Sequence, residues 1–388
     1  MFITTNGIRI HVQEQGKGTP TLVFLHYWGG SSRTWNDVIA ALPAAYHTVA
    51  PDQRGWGDSD APETGYNLAD FADDLAGLVA ELDLQSYVLV GHSMGGKIAQ
   101  LFASRRPRGL AGLVLVAPAQ PVPLHLPDEA FEMMRTAYLS RESIGLSIDH
   151  MLSSKPLSDA QREQVIADSL RGAPQARDAW PAYTSREDIT QAVAAIAVPT
   201  IVIAGELDRV DSLELHKTEL LPRIPHARLQ VLAGTGHLSP LESPNEVARL
   251  IHAFVSELDQ DHVRPKTLEA FPVAFDTAFN TGDVDGVLAC LTNDATMRMI
   301  DGTVFTGRES MREYFTGMFN SGPVFHIRNE VRRALPSGDM ALLLLDWTVT
   351  ITLPDGNQQS ERGTATQVMQ RGADSVWRLR VSNPLGLA

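Results

Sequence analysis

The feature that most constrains this chain is an apolar run that stops at glycine, presents one serine and continues as a helix. Ser93 lies between Gly91 and Gly95, and Gly96 follows directly. A serine on so sharp a strand-to-helix turn has a strained backbone, and a side chain on either flanking glycine would collide with the opposite limb of the turn. This pattern predicts that Ser93 is a nucleophile. An ordinary glycine-rich turn that contains serine has the same pattern, so the rest of the chain must decide.

The composition limits the classes of protein to which the chain can belong. It has 388 residues, of which 44% are hydrophobic and 20% charged, as expected for a globular protein of two domains. Its formal net charge of −14 repels phosphate backbones and anionic lipid, so we expect neither nucleic acid nor a membrane as a partner. Residues 1–7 lack the layout of a secretion signal, which favours a cytoplasmic location. Cys290 is the only cysteine, which excludes an internal disulfide and a cysteine-based zinc site.

Strands and helices alternate along the first two thirds of the chain. Nearly continuous apolar stretches at residues 21–26, 87–90, 113–116 and 199–205 are typical of strands that are covered on both faces. Between about 118 and 196 the pattern changes to prolines followed by amphipathic segments, which we interpret as a helical cap inserted between two strands. The alternation predicts an α/β fold whose mostly parallel sheet has helices on both sides.

Five motifs stand in order along residues 5–258, each after an expected strand. They are Leu25-His26-Tyr27-Trp28-Gly29-Gly30, Asp52-Gln53-Arg54-Gly55-Trp56-Gly57-Asp58-Ser59, Gly91-His92-Ser93-Met94-Gly95-Gly96, Gly205-Glu206-Leu207-Asp208 and Gly234-Thr235-Gly236-His237. Together they resemble the motifs of the α/β-hydrolase family. The resemblance implies an α/β-hydrolase domain over residues 1–258, and the polar, proline-containing residues 259–266 are expected to form a linker.

A serine nucleophile requires a base and an acid that orients the base, supplied in the chain order Ser, Asp, His by loops at one edge of the sheet. His237 follows a strand and a glycine-rich turn, which favours it as the general base. Asp208 follows the strand that ends near residue 204 and matches the acid position of the family. Glu206 and Asp211 are neighbouring acids that compete with Asp208 for this role.

The oxyanion that forms during attack requires hydrogen-bond donors that are already in place. The peptide N–H of Met94, which follows the nucleophile, is one predicted donor, and the resemblance implies that the peptide N–H of Trp28 is the other. Tyr27 stands where the family usually has glycine. We also expect Tyr27 and Trp28 to present aromatic surface to the substrate pocket, whereas His26 and residues 52–59 are expected to fix loops.

Serine at this turn, rather than aspartate, implies acyl transfer. The predicted function is hydrolysis of a small, largely apolar carboxylic ester or lactone through an acyl-enzyme, with no cofactor and no metal ion. Hydrolysis of a carbon–carbon bond, or cofactor-free perhydrolysis, would use the same three residues. An alternative from another class is a small-molecule receptor that keeps the pocket without turnover.

The remaining residues, 267–388, predict a second domain of helices followed by long antiparallel strands. Residues 278–283, 301–309 and 375–379 resemble the SnoaL-like polyketide cyclases and the nuclear-transport-factor cone, an α+β fold related to ketosteroid isomerase. The resemblance implies pairing through the sheet, so we expect a homodimer that forms through this domain. A second enzyme would require polar residues such as Asp301, His326, Asp346 and Arg362, which we expect to be solvated or paired.

Overall fold

The structure is a computed structural model that describes residues 1–263, 265–353 and 356–386. The chain divides into two compact units, Met1–Ser256 and Glu257–Ala388. Each unit has its own sheet and its own hydrophobic core. Across the described ranges, no helix has the length and apolarity that crossing a membrane requires.

The first unit is built on an eight-stranded sheet. Its strands are β1 (Phe2–Thr5), β2 (Ile8–Gln15), β3 (Thr21–Leu25), β4 (Thr48–Pro51), β5 (Tyr87–His92), β6 (Leu110–Val116), β7 (Thr200–Gly205) and β8 (Arg228–Leu232). They lie in the order β1-β2-β4-β3-β5-β6-β7-β8. The pairs β1–β2 and β2–β4 are antiparallel, and all later neighbours are parallel. The loops that follow β3, β5, β7 and β8 therefore emerge at one edge of the sheet.

Burial explains why the central strands are so apolar. Every residue of β3, β5 and β7 is buried, as expected where helices cover both faces of a parallel sheet. The helices that precede β6 are α1 (Asn36–Ala41), α2 (Leu68–Glu81) and α3 (Met94–Ser104). The apolar face of α2 buries Leu68, Phe71, Leu75 and Leu78, which recur at helical spacing.

Helices also fill the segment between β6 and β7, where the cap is predicted. They are α4 (Asp128–Thr136), α5 (Arg141–Ser147), α6 (Asp159–Arg171), α7 (Pro174–Ala182) and α8 (Thr190–Val193), with a π-helical turn at Ile148–Leu152. The change from alternating strands to proline-punctuated amphipathic segments therefore marks a real change of local structure.

After β7 the chain forms α9 (Leu213–Leu215), α10 (Ser239–Glu242) and α11 (Pro244–Val263). The helix that we expected to end near Leu258 continues to Val263, so residues 259–263 of the predicted linker are helical. Polar residues alone do not end a helix. Residue 264 lies outside the described residues.

The second unit packs three helices on one face of a six-stranded sheet. The helices are α12 (Ala270–Asn280), α13 (Val284–Ala289) and α14 (Arg308–Phe319). The strands are β9 (Leu291–Arg298), β10 (Val304–Thr306), β11 (Val324–Ser337), β12 (Met340–Thr352), β13 (Gln358–Arg371) and β14 (Trp377–Asn383), in the order β10-β9-β14-β13-β12-β11. Cys290 is buried in this core, and burial raises the pKa of its thiol to about 12, which suits an inert core residue.

Candidate active site

Ser93 occupies the turn between β5 and α3, and its backbone is strained. Its φ of 52° and ψ of −115° lie in a region that residues other than glycine rarely adopt. The Ser93 peptide N–H donates to Val116 O at 3.2 Å, and its carbonyl accepts the N–H of Ala119 at 3.0 Å. These bonds to the end of β6 hold the strained residue in place.

The glycines beside Ser93 are required by space. A Cβ on Gly91 would lie 2.5 Å from the carbonyl oxygen of Gly95. A Cβ on Gly95 would lie 2.6 Å from the carbonyl oxygens of Leu25 and His26. For Gly91 the obstacle is the opposite limb of the turn, as predicted, whereas for Gly95 it is the end of the neighbouring strand β3.

The three residues predicted for acyl transfer lie together at the edge of the sheet. His237 Nε2 is 2.9 Å from Ser93 Oγ, and His237 Nδ1 is 2.9 Å from Asp208 Oδ2. The other carboxylate oxygen, Asp208 Oδ1, accepts the peptide N–H groups of Val210 at 2.8 Å and Asp211 at 3.0 Å. Ser93, Asp208 and His237 are 7%, 6% and 2% exposed. We refer to these three residues as the triad.

The charges of the triad support one another. Burial alone would lower the pKa of His237. The Asp208 carboxylate, together with Asp211 and Glu242, outweighs this effect, so the pKa of His237 is raised above its ordinary value. Burial would raise the pKa of Asp208, but His237 and the two peptide N–H groups lower it overall. Asp208 is therefore ionised at neutral pH, where it favours the Nδ1–H tautomer of His237 and leaves Nε2 free to accept a proton from Ser93.

Glu206 and Asp211, the competing acids, have other partners. Glu206 is exposed and accepts the peptide N–H of Gly234 at 2.8 Å through Oε2. The Asp211 side chain accepts a hydrogen bond from Gln120. Of these three acids on the loop after β7, Asp208 is the one that is hydrogen-bonded to His237.

The predicted oxyanion donors follow two neighbouring strands: Trp28 lies on the loop after β3, and Met94 directly follows Ser93 after β5. Met94 is the first residue of α3, and N–H groups in the first turn of a helix have no acceptor within the helix. The Trp28 carbonyl accepts the Tyr138 hydroxyl at 3.1 Å, and the Trp28 indole N–H donates to Arg177 O at 3.2 Å. Trp28 is thus held by the cap on two sides, while the roles of both peptide N–H groups stay predictions.

Tyr27 stands where the family usually has glycine, and its backbone does not require glycine. The residues other than glycine with positive φ in the described part of the chain are Asn6, Asp83, Ser93, Arg106, Ala117 and Ser375. The Tyr27 ring is 2% exposed and lies 5.1 Å from the ring of His92, centroid to centroid. Its pocket role stays a prediction, and this packing favours support of the turn that carries Ser93.

His92 is a residue near the site that the sequence analysis did not assign. Its Nε2–H donates to the carbonyl oxygen of His237 at 2.8 Å. Burial lowers the pKa of His92 to about 3, so the ring is neutral and keeps this bond at any working pH. The only signal in the sequence was its position next to Ser93.

Glu242 is the second unassigned residue. Its Oε2 atom accepts three peptide N–H groups, from Gly236 at 2.9 Å, Ser154 at 3.0 Å and Lys155 at 3.1 Å. One carboxylate therefore joins the loop of His237 to the cap segment that follows the π-helical turn. Nothing in the sequence near Glu242 signals this contact.

One group of side chains has the residue types of a cation site. Ligand atoms of His11, Asp52 and Asp58 lie within 4.8 Å of one another. The Asp52 oxygens already accept the N–H groups of Ser32 at 2.6 Å and Asp58 at 2.9 Å, and Oδ2 also lies 2.9 Å from His11 Nδ1. These contacts fit the predicted role of residues 52–59 in fixing loops.

Comparison with known proteins covers both units. The family model described as the Alpha/beta hydrolase family matches residues 22–250, and the SnoaL-like domain matches residues 273–379. A non-heme chloroperoxidase of Kitasatospora aureofaciens, CPO-A1, is 31% identical over 253 residues, which is 60% of this chain and 90% of that protein.

Two further proteins are similar to a comparable share of the chain. A 2-(acetamidomethylene)succinate hydrolase of Mesorhizobium japonicum is 29% identical over 261 residues, which is 64% of this chain and 92% of that protein. The structure of a thermophilic esterase from Thermogutta terrifontis has a TM-score of 0.58 and 26% identity, covering 66% of this chain and 98% of the esterase.

Proposed function

Because the chain belongs to the alpha/beta hydrolase family, we propose that it is a serine hydrolase that cleaves a small, largely apolar carboxylic ester or lactone. The proposal is carried by the hydrogen bonds that join Ser93 to His237 and His237 to Asp208, together with the strained turn on which Ser93 lies. The matching family models also confirm the predicted order of an α/β-hydrolase domain and a SnoaL-like cone domain. The domain boundaries stay predictions.

In the proposed mechanism Ser93 Oγ attacks the substrate carbonyl carbon while His237 Nε2 takes the hydroxyl proton. Asp208 orients the imidazole and stabilises the imidazolium. The peptide N–H groups of Met94 and Trp28 bind the oxyanion. His237 then donates the proton to the departing alcohol oxygen, leaving an acyl-enzyme on Ser93. Water activated by His237 opens this ester, and the proton returns to Ser93.

The cap supports an apolar pocket as part of this proposal. Trp28 stacks on Tyr138 of the cap with ring centroids 4.2 Å apart. The cap segment, residues 118–196, also contributes Phe131 and Trp180 to the protein interior. An aromatic cap interior favours a substrate with few charged groups.

Cofactor-free perhydrolysis is the second candidate, and the similarity to a protein named non-heme chloroperoxidase favours it. In this reaction hydrogen peroxide, rather than water, opens the acyl-enzyme to give a peroxy acid, and the proton returns to Ser93 through His237. The similarity to a protein named 2-(acetamidomethylene)succinate hydrolase favours hydrolysis in general and does not indicate which bond this chain cleaves. Carbon–carbon bond hydrolysis stays a third possibility.

A fluorophosphonate probe tests the proposal, because it reacts with an activated serine whatever the natural substrate is. We expect one adduct, on Ser93, and a burst of product with an activated short-chain ester. The Ser93→Ala variant should show neither. Adding hydrogen peroxide separates the two candidates, since only the perhydrolase forms a peroxy acid. A folded wild-type protein without an adduct on Ser93 would contradict the proposal and favour the receptor alternative.

The second unit supports a proposed homodimer through its outer sheet face. Paired residues on neighbouring strands point to the same side of a sheet, so Leu335, Leu342, Val368 and Val381 form one row across β11, β12, β13 and β14. Leu335, Leu342 and Val381 are exposed. A twofold pair brings identical surfaces together, and an apolar row is complementary to itself.

A cytoplasmic location is likewise proposed, from the sequence alone.

A further inference from the structure

A second carboxyl group, that of Asp211, lies on the turn that carries Asp208. The Asp211 peptide N–H donates to Asp208 Oδ1 at 3.0 Å, while Asp208 Oδ2 is bonded to His237 at 2.9 Å. The two acids therefore belong to one turn, and Asp211 is linked to the imidazole through a single carboxylate. The proposed mechanism uses Asp208 and leaves Asp211 without a role.

The Asp211 side chain is buried and accepts a hydrogen bond from Gln120. Asp211 is 5% exposed, and its Oδ1 accepts from Gln120 Nε2 at 3.3 Å. Gln120 Nε2 also lies 2.9 Å from His216 Nδ1 and 3.2 Å from Pro118 O. An amide group has two N–H bonds and cannot serve three acceptors together. The contact from Gln120 Nε2 to Asp211 Oδ1 is thus the longest of the three for which this amide competes.

The charged groups that act on the Asp211 carboxyl are Asp208, His237 and Lys97. The His216 ring is hydrogen-bonded to the Asp211 main chain and lies 2.9 Å from Gln120 Nε2 through its Nδ1 atom. The Lys97 ammonium donates to Val122 O and Ser185 O, each at 3.1 Å, so its hydrogen bonds go to main-chain oxygens. Burial lowers the pKa of His216 to about 4, which keeps that ring neutral. The ion pair on this turn joins His237 to Asp208 and does not include Asp211.

These surroundings place the ionisation of Asp211 in the working range of the triad. Burial, reinforced by the negative charge of Asp208, raises the pKa of Asp211 to about 7 against the opposing effects of His237, Gln120 and Lys97. When Asp211 ionises, its negative charge adds to those of Asp208 and Glu242 in raising the pKa of His237.

We infer that Asp211 is a positioning residue that sets, through its own charge, the pH at which His237 becomes a free base. The inference rests on the proposed function of the triad. Ionised Asp211 stabilises the imidazolium, which makes His237 a stronger base but delays its deprotonation to higher pH. Protonated Asp211 leaves Asp208 as the only negative charge on this turn, so His237 loses its proton at lower pH.

The test is the pH dependence of fluorophosphonate labelling of Ser93, measured from about pH 5 to about pH 9 in the full chain. The labelling rate rises as His237 loses its proton. Asp211→Asn removes the charge and keeps the shape, so we expect the midpoint of this rise to move to lower pH by about half a unit or more. The control is Glu206→Gln, which removes an exposed charge from the same loop and should move the midpoint much less.

Each outcome separates the inference from the proposed function. A wild-type protein that is not labelled contradicts the proposed function. A labelled Asp211→Asn variant with the wild-type midpoint overturns the inference, and a lower rate at every pH without a shift shows a purely structural role. Should Asp211→Asn fail to fold, Gln120→Met serves instead. This substitution removes the Gln120 amide that donates to Asp211 Oδ1 and keeps that carboxyl neutral to higher pH. The midpoint should therefore shift in the same direction, and an unchanged midpoint overturns the inference.

Discussion

The two units place their polar side chains in opposite ways. In the first unit Ser93, Asp208 and His237 are buried and hydrogen-bonded to one another at the end of a parallel sheet. In the second unit Asp301, His326, Asp346 and Arg362, the residues that a second enzyme would require, are all exposed. Asp301 accepts the N–H of Thr303, and Asp346 accepts the hydroxyl of Thr364.

This contrast shows which polar residues carry evidence of function. Burying a charged group is unfavourable unless hydrogen bonds and opposite charges compensate, so a buried and fully connected set implies that selection kept it for a purpose. Exposed polar residues carry no such cost and need no special explanation. The expectation that the polar residues of the cone are solvated or paired agrees with their positions. The following predictions test whether catalysis belongs to the first unit alone.

The largest effect is expected for Asp208→Asn. An amide in place of the carboxylate removes the charge that stabilises the imidazolium and can favour the wrong tautomer of His237, so kcat/KM with an activated ester should fall about 10⁴-fold. Glu206→Gln, on the same loop but exposed, is the matched control and should stay near the wild-type rate. Loss of activity in the control, or its retention in Asp208→Asn, would mean that the loop supplies its acid from another position.

An intermediate effect is expected for Glu242→Ala. Three peptide N–H groups lose their acceptor, so the loop of His237 should shift relative to Ser93 and kcat/KM should fall by about 10-fold to 100-fold. Glu246→Ala is the control, because Glu246 is exposed and pairs with Arg249 on the surface of α11. Equal rates for both variants would show that the bond from His92 to the His237 carbonyl is sufficient to hold the loop.

A change in assembly without a large change in chemistry is expected for Leu342→Arg. A charge in the centre of the apolar row should separate the proposed dimer, and light scattering should report about half the wild-type mass. Val273→Arg places the same side chain on an exposed position of α12 and should leave the mass unchanged. A wild-type chain that is monomeric, or a Leu342→Arg variant that stays dimeric, would remove this face from consideration.

The smallest effect is expected for the double variant Asp301→Asn, Asp346→Asn. Both carboxylates are exposed, so turnover of an activated ester should stay within about twofold of wild type and the melting temperature should change little. A loss of turnover comparable with that of Glu242→Ala would show that the cone takes part in the reaction.

Much of the fold followed from local patterns. The apolar runs predicted β3, β5, β6 and β7, and the proline-rich stretch predicted the helical cap, because strand burial and chain stiffness depend on neighbouring residues. The predicted end of α11 near Leu258 was wrong. Polar composition suggested that the helix had ended by residue 259, whereas it continues to Val263. Polar residues are as compatible with a helix as with a linker, and composition does not distinguish them.

The sequence by itself determined the strained turn at Ser93, since the glycines that it requires stand within two residues of the serine. It also indicated Asp208 and His237, because parallel strands deliver their following loops to one edge of the sheet. Only the tertiary structure decided that Glu242 holds the loop of His237 and that Asp211 lies buried against Gln120. Those contacts join loops far apart in the chain, and the charge of a buried group depends on what surrounds it in space.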